Sequence, residues 1–311
     1  MEFFVHFLLL AGGIALLVKG ADLFVGGASD LAARLGIPPL VIGFTVVAMG
    51  TSIPEAAVSI SAVIKGNSEI TIGNVVGSNI LNILIILGIS AMIAPLSVKT
   101  GTIKHELPFL GGISILLLLQ GLDGTIGFAD GILQLLLFGL YLAYLFFSAK
   151  KGNSDGGETA APRSEKRLWK IIFLCIFGLT LTVAGSNISV DAACGIAERL
   201  GMSQRFIGLT IVALGTSLPE LVTSVMAAKK GKSDIAIGNI VGSNIFNILF
   251  VVGASALIRP VTFVEGFCFD TAVSAVAALL LILFSLKDKK LGRWRGAAML
   301  AGYALYFIAI L

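Results

Sequence analysis

The sequence predicts an all-α membrane protein of about ten transmembrane helices, arranged as two inverted five-helix repeats with broken helices at an ion site. Three observations carry that expectation. The 311 residues are 57% hydrophobic and only 13% charged, with a mean hydropathy of +0.99, a composition far from that of a water-soluble globule of this length. Apolar runs such as Ile103 to Leu122, with a single acid, and Ala272 to Leu286 suit helices in about 30 Å of hydrocarbon, where the backbone has to satisfy its own hydrogen bonds. The chain also repeats itself at an offset of 165 residues: Gly43–Pro95 and Gly208–Pro260 share 31 identities in 53 positions without a gap.

Breakers and charges divide the first half into spans near 3–34, 38–65, 69–95, 103–122 and 125–149, and the second into spans near 168–200, 203–229, 234–258, 264–286 and 293–310. The first apolar run, Phe3 to Val18, lacks a basic flank and continues into Lys19, Gly20 and Asp22, so it reads as a first helix and not as a cleavable signal. Between the halves, KKGNSDGGETAAPRSEKR from Lys150 to Arg167 is polar and Gly-rich with no apolar period, which predicts a linker with little fixed structure. The domains are therefore a first repeat over 1–149, a linker over 150–167 and a second repeat over 168–311.

With the amino terminus outside, one side of the membrane receives 17 of the 22 basic residues, among them Arg34, Lys99, Lys104, those of the linker, Lys229 to Lys232 and Lys287 to Arg295. That side is expected to be cytoplasmic, which places the linker in the cytoplasm and both termini outside, in a multi-pass protein of the cell (plasma or inner) membrane. The formal charge of +4 is then a topology signal, not the mark of a nucleic-acid partner. An odd number of spans per half gives the two halves opposite orientations, a plan common among secondary transporters. Cys175, Cys194 and Cys268 lie in separate apolar segments without metal-ligand spacing and read as buried small residues. His6 and His105 fall near span ends and read as interfacial.

The chemistry is concentrated in two duplicated motifs. GTSIPE at Gly50 to Glu55 answers GTSLPE at Gly215 to Glu220. Glu55 and Glu220 lie inside apolar spans, where an ionised carboxylate costs on the order of several kcal/mol unless it meets water, a cation or a partner. Pro54 and Pro219 break the helical ladder and free the carbonyls of Gly50 and Gly215 as cation ligands. Thr51 and Thr216 stand four residues before their glutamates, on the same helix face, and Ser52 and Ser217 add hydroxyls. GNVVGSNILN at Gly73 to Asn82 answers GNIVGSNIFN at Gly238 to Asn247; in it Ser78 and Asn82, like Ser243 and Asn247, sit one turn apart, while Gly73, Gly77, Gly238 and Gly242 let helices approach closely. The ligand set is all oxygen, without thiolate or imidazole, and suits hard cations such as calcium or sodium. No nucleotide-binding Walker sequence and no phosphorylatable aspartate motif is present, so another gradient has to drive transport.

The doubled G-T-S-x-P-E and G-N-x-x-G-S-N-x-x-N resemble the two alpha repeats of the cation/calcium exchanger superfamily, in its sodium/calcium exchanger branch, over essentially the whole chain. The resemblance implies an antiporter and not an enzyme, with no cofactor or nucleotide, calcium and sodium as cargo, and first and sixth helices that slide across a core of broken helices. It implies that Glu55 and Glu220 bridge calcium, helped by Thr51 and Thr216. It further implies sodium sites that use Ser78, Ser243 and the carbonyls of Ala48 and Ala213, with Asn82 and Asn247 completing the middle and Ser52 and Ser217 in support. Potassium-dependent and certain prokaryotic relatives carry Asp at the position of Asn247, so a potassium-coupled reading is weakened. The short linker, without an acidic cluster, leaves no place for a regulatory calcium-binding domain. A proton/calcium antiporter is the alternative, although that branch resembles a different pattern with glutamine where Asn82 and Asn247 stand. A calcium channel would be expected to build its glutamate ring from subunit symmetry, whereas this chain supplies a pair itself.

Overall fold

The computed structural model describes residues 2–154, 166–201 and 213–310. Among these, seven helices are long and apolar enough to cross a membrane, and the pair Pro39–Thr51 and Ile53–Ile64, bent by 48°, makes an eighth. The expected span at 203–229 falls partly outside the described residues, which resume with helices Ala213–Thr216 and Leu218–Lys229; the last expected span is the 18-residue helix Arg293–Ile310. The connector starts later than the composition suggested, because helix Phe128–Ser154 runs into it. Nothing before Ser154 breaks a helix except Gly152, and Lys150 and Lys151 suit a carboxyl-terminal turn. The rest of the predicted linker, 155–165, lies outside the described residues.

The glutamate-bearing helices are broken where the prolines predict. Thr51 ends one helix, Ser52 leaves helical geometry at φ −85° and ψ 9°, and Ile53–Ile64 starts anew with proline in its first turn, where a missing N–H costs nothing. Ser217, at φ −88° and ψ 3°, repeats the break before Leu218–Lys229. The second-motif helices Glu69–Ile80 and Ser233–Phe246 widen into π-helical stretches at Leu81–Leu87 and Asn247–Val252, a local insertion frequent at functional sites. These two form the core: the span Ser233–Ile258 is 94% buried, against 33% for Leu168–Arg199.

Helices Glu2–Leu35 and Leu168–Arg199 pack antiparallel along a stripe of glycines seven residues apart. Gly13 faces Gly185 and Ser189, Gly20 faces Gly178 and Thr182, and Gly27 faces Cys175; a Cβ on Gly20 would stand 2.5 Å from the Thr182 nitrogen, so only glycine permits this approach. Two short antiparallel ribbons tie the halves together: Leu96–Ser97 pairs with Lys290–Leu291, and Thr125–Ile126 with Val261–Thr262. They sit at opposite ends of helix Glu106–Gly121 and of helix Gly266–Leu286, which pack together and run antiparallel. Glu106, the lone acid of its apolar run, is buried and accepts a hydrogen bond from Tyr144 Oη at 3.1 Å.

Candidate ion-binding site

Glu55 and Glu220 are fully buried, each in the first turn of the helix that begins after a break, where the helix dipole favours negative charge. Their carboxylates are held crosswise between the halves. Ser52 Oγ donates to Glu220 Oε1 at 2.9 Å, and Ser217 Oγ donates to Glu55 Oε1 at 3.2 Å. The threonines follow the same crossing, Thr51 lying beside Glu220 and Thr216 beside Glu55. The four-residue spacing therefore misleads: a helix break lies between each threonine and its own glutamate, and each meets the opposite half.

Around the carboxylates, amides form a nearly two-fold network. Asn79 Nδ2 donates to the Asn244 carbonyl at 3.3 Å and Asn244 Nδ2 to the Asn79 carbonyl at 3.2 Å. Asn82 Nδ2 donates to Asn244 Oδ1 at 2.8 Å, and Asn247 Nδ2 to Asn79 Oδ1 at 3.2 Å. Asn74 Nδ2 donates to the Glu55 carbonyl and Ser59 Oγ, at 3.1 and 2.9 Å, and Asn239 Nδ2 to the Glu220 carbonyl and Ser224 Oγ, at 3.4 and 2.9 Å. Six of these eight, Ser59, Asn74 and Asn79 with their counterparts Ser224, Asn239 and Asn244, were passed over in the motif reading, although each is identical to its counterpart at the repeat offset and is polar inside an apolar span.

What the network leaves over is oxygen. Glu55 Oε2, Glu220 Oε2, Asn82 Oδ1, Asn247 Oδ1 and Thr216 Oγ1 are buried without a hydrogen-bond partner. Buried polar atoms are ordinarily satisfied, so five unpaired acceptor-capable oxygens contributed by both halves fit a cation that supplies what no donor does. None of the ion pairs among the described residues engages either glutamate, and no three His, Cys, Asp or Glu side chains converge there. The carboxylate charge at the centre is that of two groups.

The remaining expected ligands are placed as follows. Ser78 Oγ and Ser217 Oγ lie 3.3 Å apart, and Ser243 Oγ donates to the Ala48 carbonyl at 3.3 Å. That carbonyl also receives the Ser52 N–H at 3.0 Å and Thr51 Oγ1 at 3.3 Å. Ala213 opens the short helix that ends at Thr216. The carbonyl freed by Pro219 finds a partner, since Gly215 O accepts from Ser186 Oγ at 3.0 Å. His6 lies against Gly195 and His105 beside Tyr144, with ring centroids 6.2 Å apart; neither joins this network.

Comparison with known proteins bears on this arrangement. The family model described as sodium/calcium exchanger protein matches residues 5–147 and 170–311. The chain is 40% identical to the putative antiporter CaxA of Alkalimonas amylolytica, over 94% of this chain and 95% of that one. It is 35% identical to the inner membrane protein YrbG of Escherichia coli, over 96% and 94%, and 34% identical to the sodium/calcium exchanger MaX1 of Methanosarcina acetivorans, over 98% of each. The solved structure of the sodium-calcium exchanger NCX_Mj soaked with 10 mM Na+ and zero Ca2+ superposes with a TM-score of 0.85 at 34% identity, covering 99% of both chains.

Proposed function

The chain belongs to the sodium/calcium exchanger protein family, a family of transporters and not of enzymes, and from that premise we propose that it is a secondary active antiporter exchanging calcium for sodium by alternating access. The observation that carries this reading is the set of buried, partnerless oxygens on Glu55, Glu220, Asn82, Asn247 and Thr216. Two ionised carboxylates carry about −2, so one calcium neutralises them, whereas sodium ions have to enter at least in pairs. Cargo competition for one site, with a charged empty site too costly to occlude, is what couples the flows. Thr51 and Thr216 assist the glutamates on calcium. Ser52, Ser78, Ser217, Ser243, Asn82, Asn247 and the Ala48 and Ala213 carbonyls serve sodium and supporting contacts, with room for a third sodium ion.

The architecture assigned to this function is ten spans in two inverted repeats, joined by a cytoplasmic linker between Ser154 and Leu168, in the cell membrane with both termini outside. The antiparallel contact of the equivalent helices Glu2–Leu35 and Leu168–Arg199 supports it, as do the two crossed ribbons, each the counterpart of the other with the halves exchanged. The test is calcium-45 uptake into proteoliposomes under sodium, potassium and proton gradients imposed in turn. Uptake driven by outward sodium, without potassium, is expected. Uptake that persists without sodium and follows pH would transfer the chain to proton/calcium exchange.

A further inference from the structure

A second group of buried, partnerless oxygens lies at the end of the molecule that carries the lysine-rich loops. A cavity of about 930 Å³ is formed there between the start of the broken helix, the short helix Thr100–Lys104 and the end of Phe128–Ser154; Phe44, Lys99, Thr102, Glu106, Tyr144 and Lys289 are among its walls, and neither Glu55 nor Glu220 lines it. Glu106 is 6% exposed and Thr102 fully buried. Tyr144 donates to Glu106 Oε1, but Glu106 Oε2 and Thr102 Oγ1 have no hydrogen-bond partner, and the ion pairs of the described residues do not include Glu106. A carboxylate buried in this way calls for a donor.

The lysines are placed by the ribbon. Leu96–Ser97 pairs with Lys290–Leu291, and the Val98 N–H donates to the Lys289 carbonyl at 2.8 Å, which brings Lys99 and Lys289 to one rim; Lys99 also meets Asp234 at 3.2 Å. Lys289 stands at φ 50°, the only positive φ outside glycine among the described residues, in a region that disfavours L side chains. Its counterpart at the repeat offset is Gly124, at φ 90°, the residue type that accepts such a backbone without strain. Orienting the chain needs charge somewhere in this loop, which Lys287 and Lys290 supply, and not at the strained position, so the Lys289 side chain points to a function of its own. In the other copy Asp270 accepts from Tyr306 at 2.9 Å, but Val264 and Gly124 hold the positions of Lys99 and Lys289.

We propose that this cavity binds an aminophospholipid, phosphatidylethanolamine, whose ammonium donates to Glu106 Oε2 and Thr102 Oγ1 while its phosphate meets Lys289 and Lys99. An inorganic cation makes no use of the lysines, and an anionic headgroup none of the buried carboxylate; a primary amine joined to a phosphate uses both. Phe147 lines the same cavity and is 65% exposed, an apolar edge for the acyl chains. Phe44 precedes Ala48 in the broken helix, so the lipid rests against the segment that leads to the ion site.

The experiment uses the full-length chain in detergent, incubated with phosphatidylethanolamine, phosphatidylcholine or phosphatidylglycerol of the same acyl chains, with bound lipid counted by native mass spectrometry. Phosphatidylethanolamine is expected to be retained about tenfold better than phosphatidylcholine, which has the phosphate but no N–H, and than phosphatidylglycerol, which has no amine, the effect of a charge-assisted hydrogen bond. Glu106→Gln should bring the three lipids level. Thr102→Val, which keeps the charge, should reduce the preference about threefold and serves if Glu106→Gln fails to fold. Lys289→Gly should lower retention of all three lipids about fivefold without lowering the melting temperature, because the strain leaves with the side chain. Equal retention of phosphatidylethanolamine and phosphatidylcholine by the parent chain, or a preference that survives both Glu106→Gln and Thr102→Val, would overturn the site. Tighter phosphatidylglycerol would overturn it in favour of lysines that take any anionic lipid, and retention only after proteolysis between Ser154 and Leu168 would assign the cavity to the linker.

Discussion

A side-chain amide can turn either its oxygen or its NH2 toward an ion, and at Asn82 and Asn247 the choice is made by Asn244 and Asn79, whose Oδ1 atoms take up the two NH2 groups. Asn79→Ala should therefore weaken sodium and calcium binding together by about tenfold or more, from the loss of the two buried hydrogen bonds of its side chain and of the orientation they enforce, as isothermal titration or sodium-dependence of flux will show. For the carboxylates the expected effect is larger. Glu55→Gln or Glu220→Gln halves the charge facing a divalent ion in a dry site and should lower calcium transport by about 100-fold or more without loss of membrane insertion; near-normal flux in either variant would remove that residue from the site. Both glutamates were legible in the sequence because a charge repeated inside an apolar span has few explanations. The crossing of Ser52 to Glu220 and Ser217 to Glu55 was not, since sequence spacing carries no information about which half a side chain meets once a break intervenes.

At the scale of helices, the breaks at Ser52 and Ser217 could be read from the following prolines, whereas the π-helical widening at Leu81–Leu87 and Asn247–Val252 has no sequence signature of its own. The seven-residue stripe of Gly13, Gly20 and Gly27 was also missed, because it lies outside the most strongly matched segment and glycine is frequent throughout. Its consequence is measurable. Gly20→Ala puts a methyl 2.5 Å from the Thr182 backbone and should destabilise the fold by about 1–3 kcal/mol, the usual cost of overpacking, while Gly12→Ala, whose added Cβ meets nothing within 4 Å, should leave the melting temperature in detergent within a degree or two. Equal effects of the two would mean that the close approach does not hold these helices together.

For the whole molecule, the basic residues make a prediction that depends on no side-chain geometry: a cysteine at Gly156 should react with an impermeant reagent in inverted vesicles and not in intact cells. Coupling gives another. If three sodium ions exchange for one calcium, calcium flux at a fixed calcium gradient should respond to imposed voltage; flux indifferent to voltage would leave two sodium ions per calcium. The two-half plan was legible from the 165-residue repeat, but the ribbons that join the halves were not, since Leu96–Ser97 and Val261–Thr262 are too short to carry an alternating pattern. Those ribbons also speak to ancestry. Each pairs a strand from one copy with the non-equivalent strand from the other, which is what two identical half-length chains would form about a two-fold axis in the membrane. A chain of that kind has to insert in both orientations, so it can bear no strong charge bias of its own. Some orienting residues, Arg34 and Lys230, keep a basic counterpart in the other copy, Arg199 and Lys65, whereas Lys99 and Lys104 stand opposite Val264 and Phe269, and Lys287, Lys289 and Lys290 opposite Leu122, Gly124 and Thr125. If the basic loops set the orientation, neutralising Lys99 and Lys104, or Lys287, Lys289 and Lys290, should let a fraction of chains insert inverted, read by the accessibility of a cysteine at Gly156.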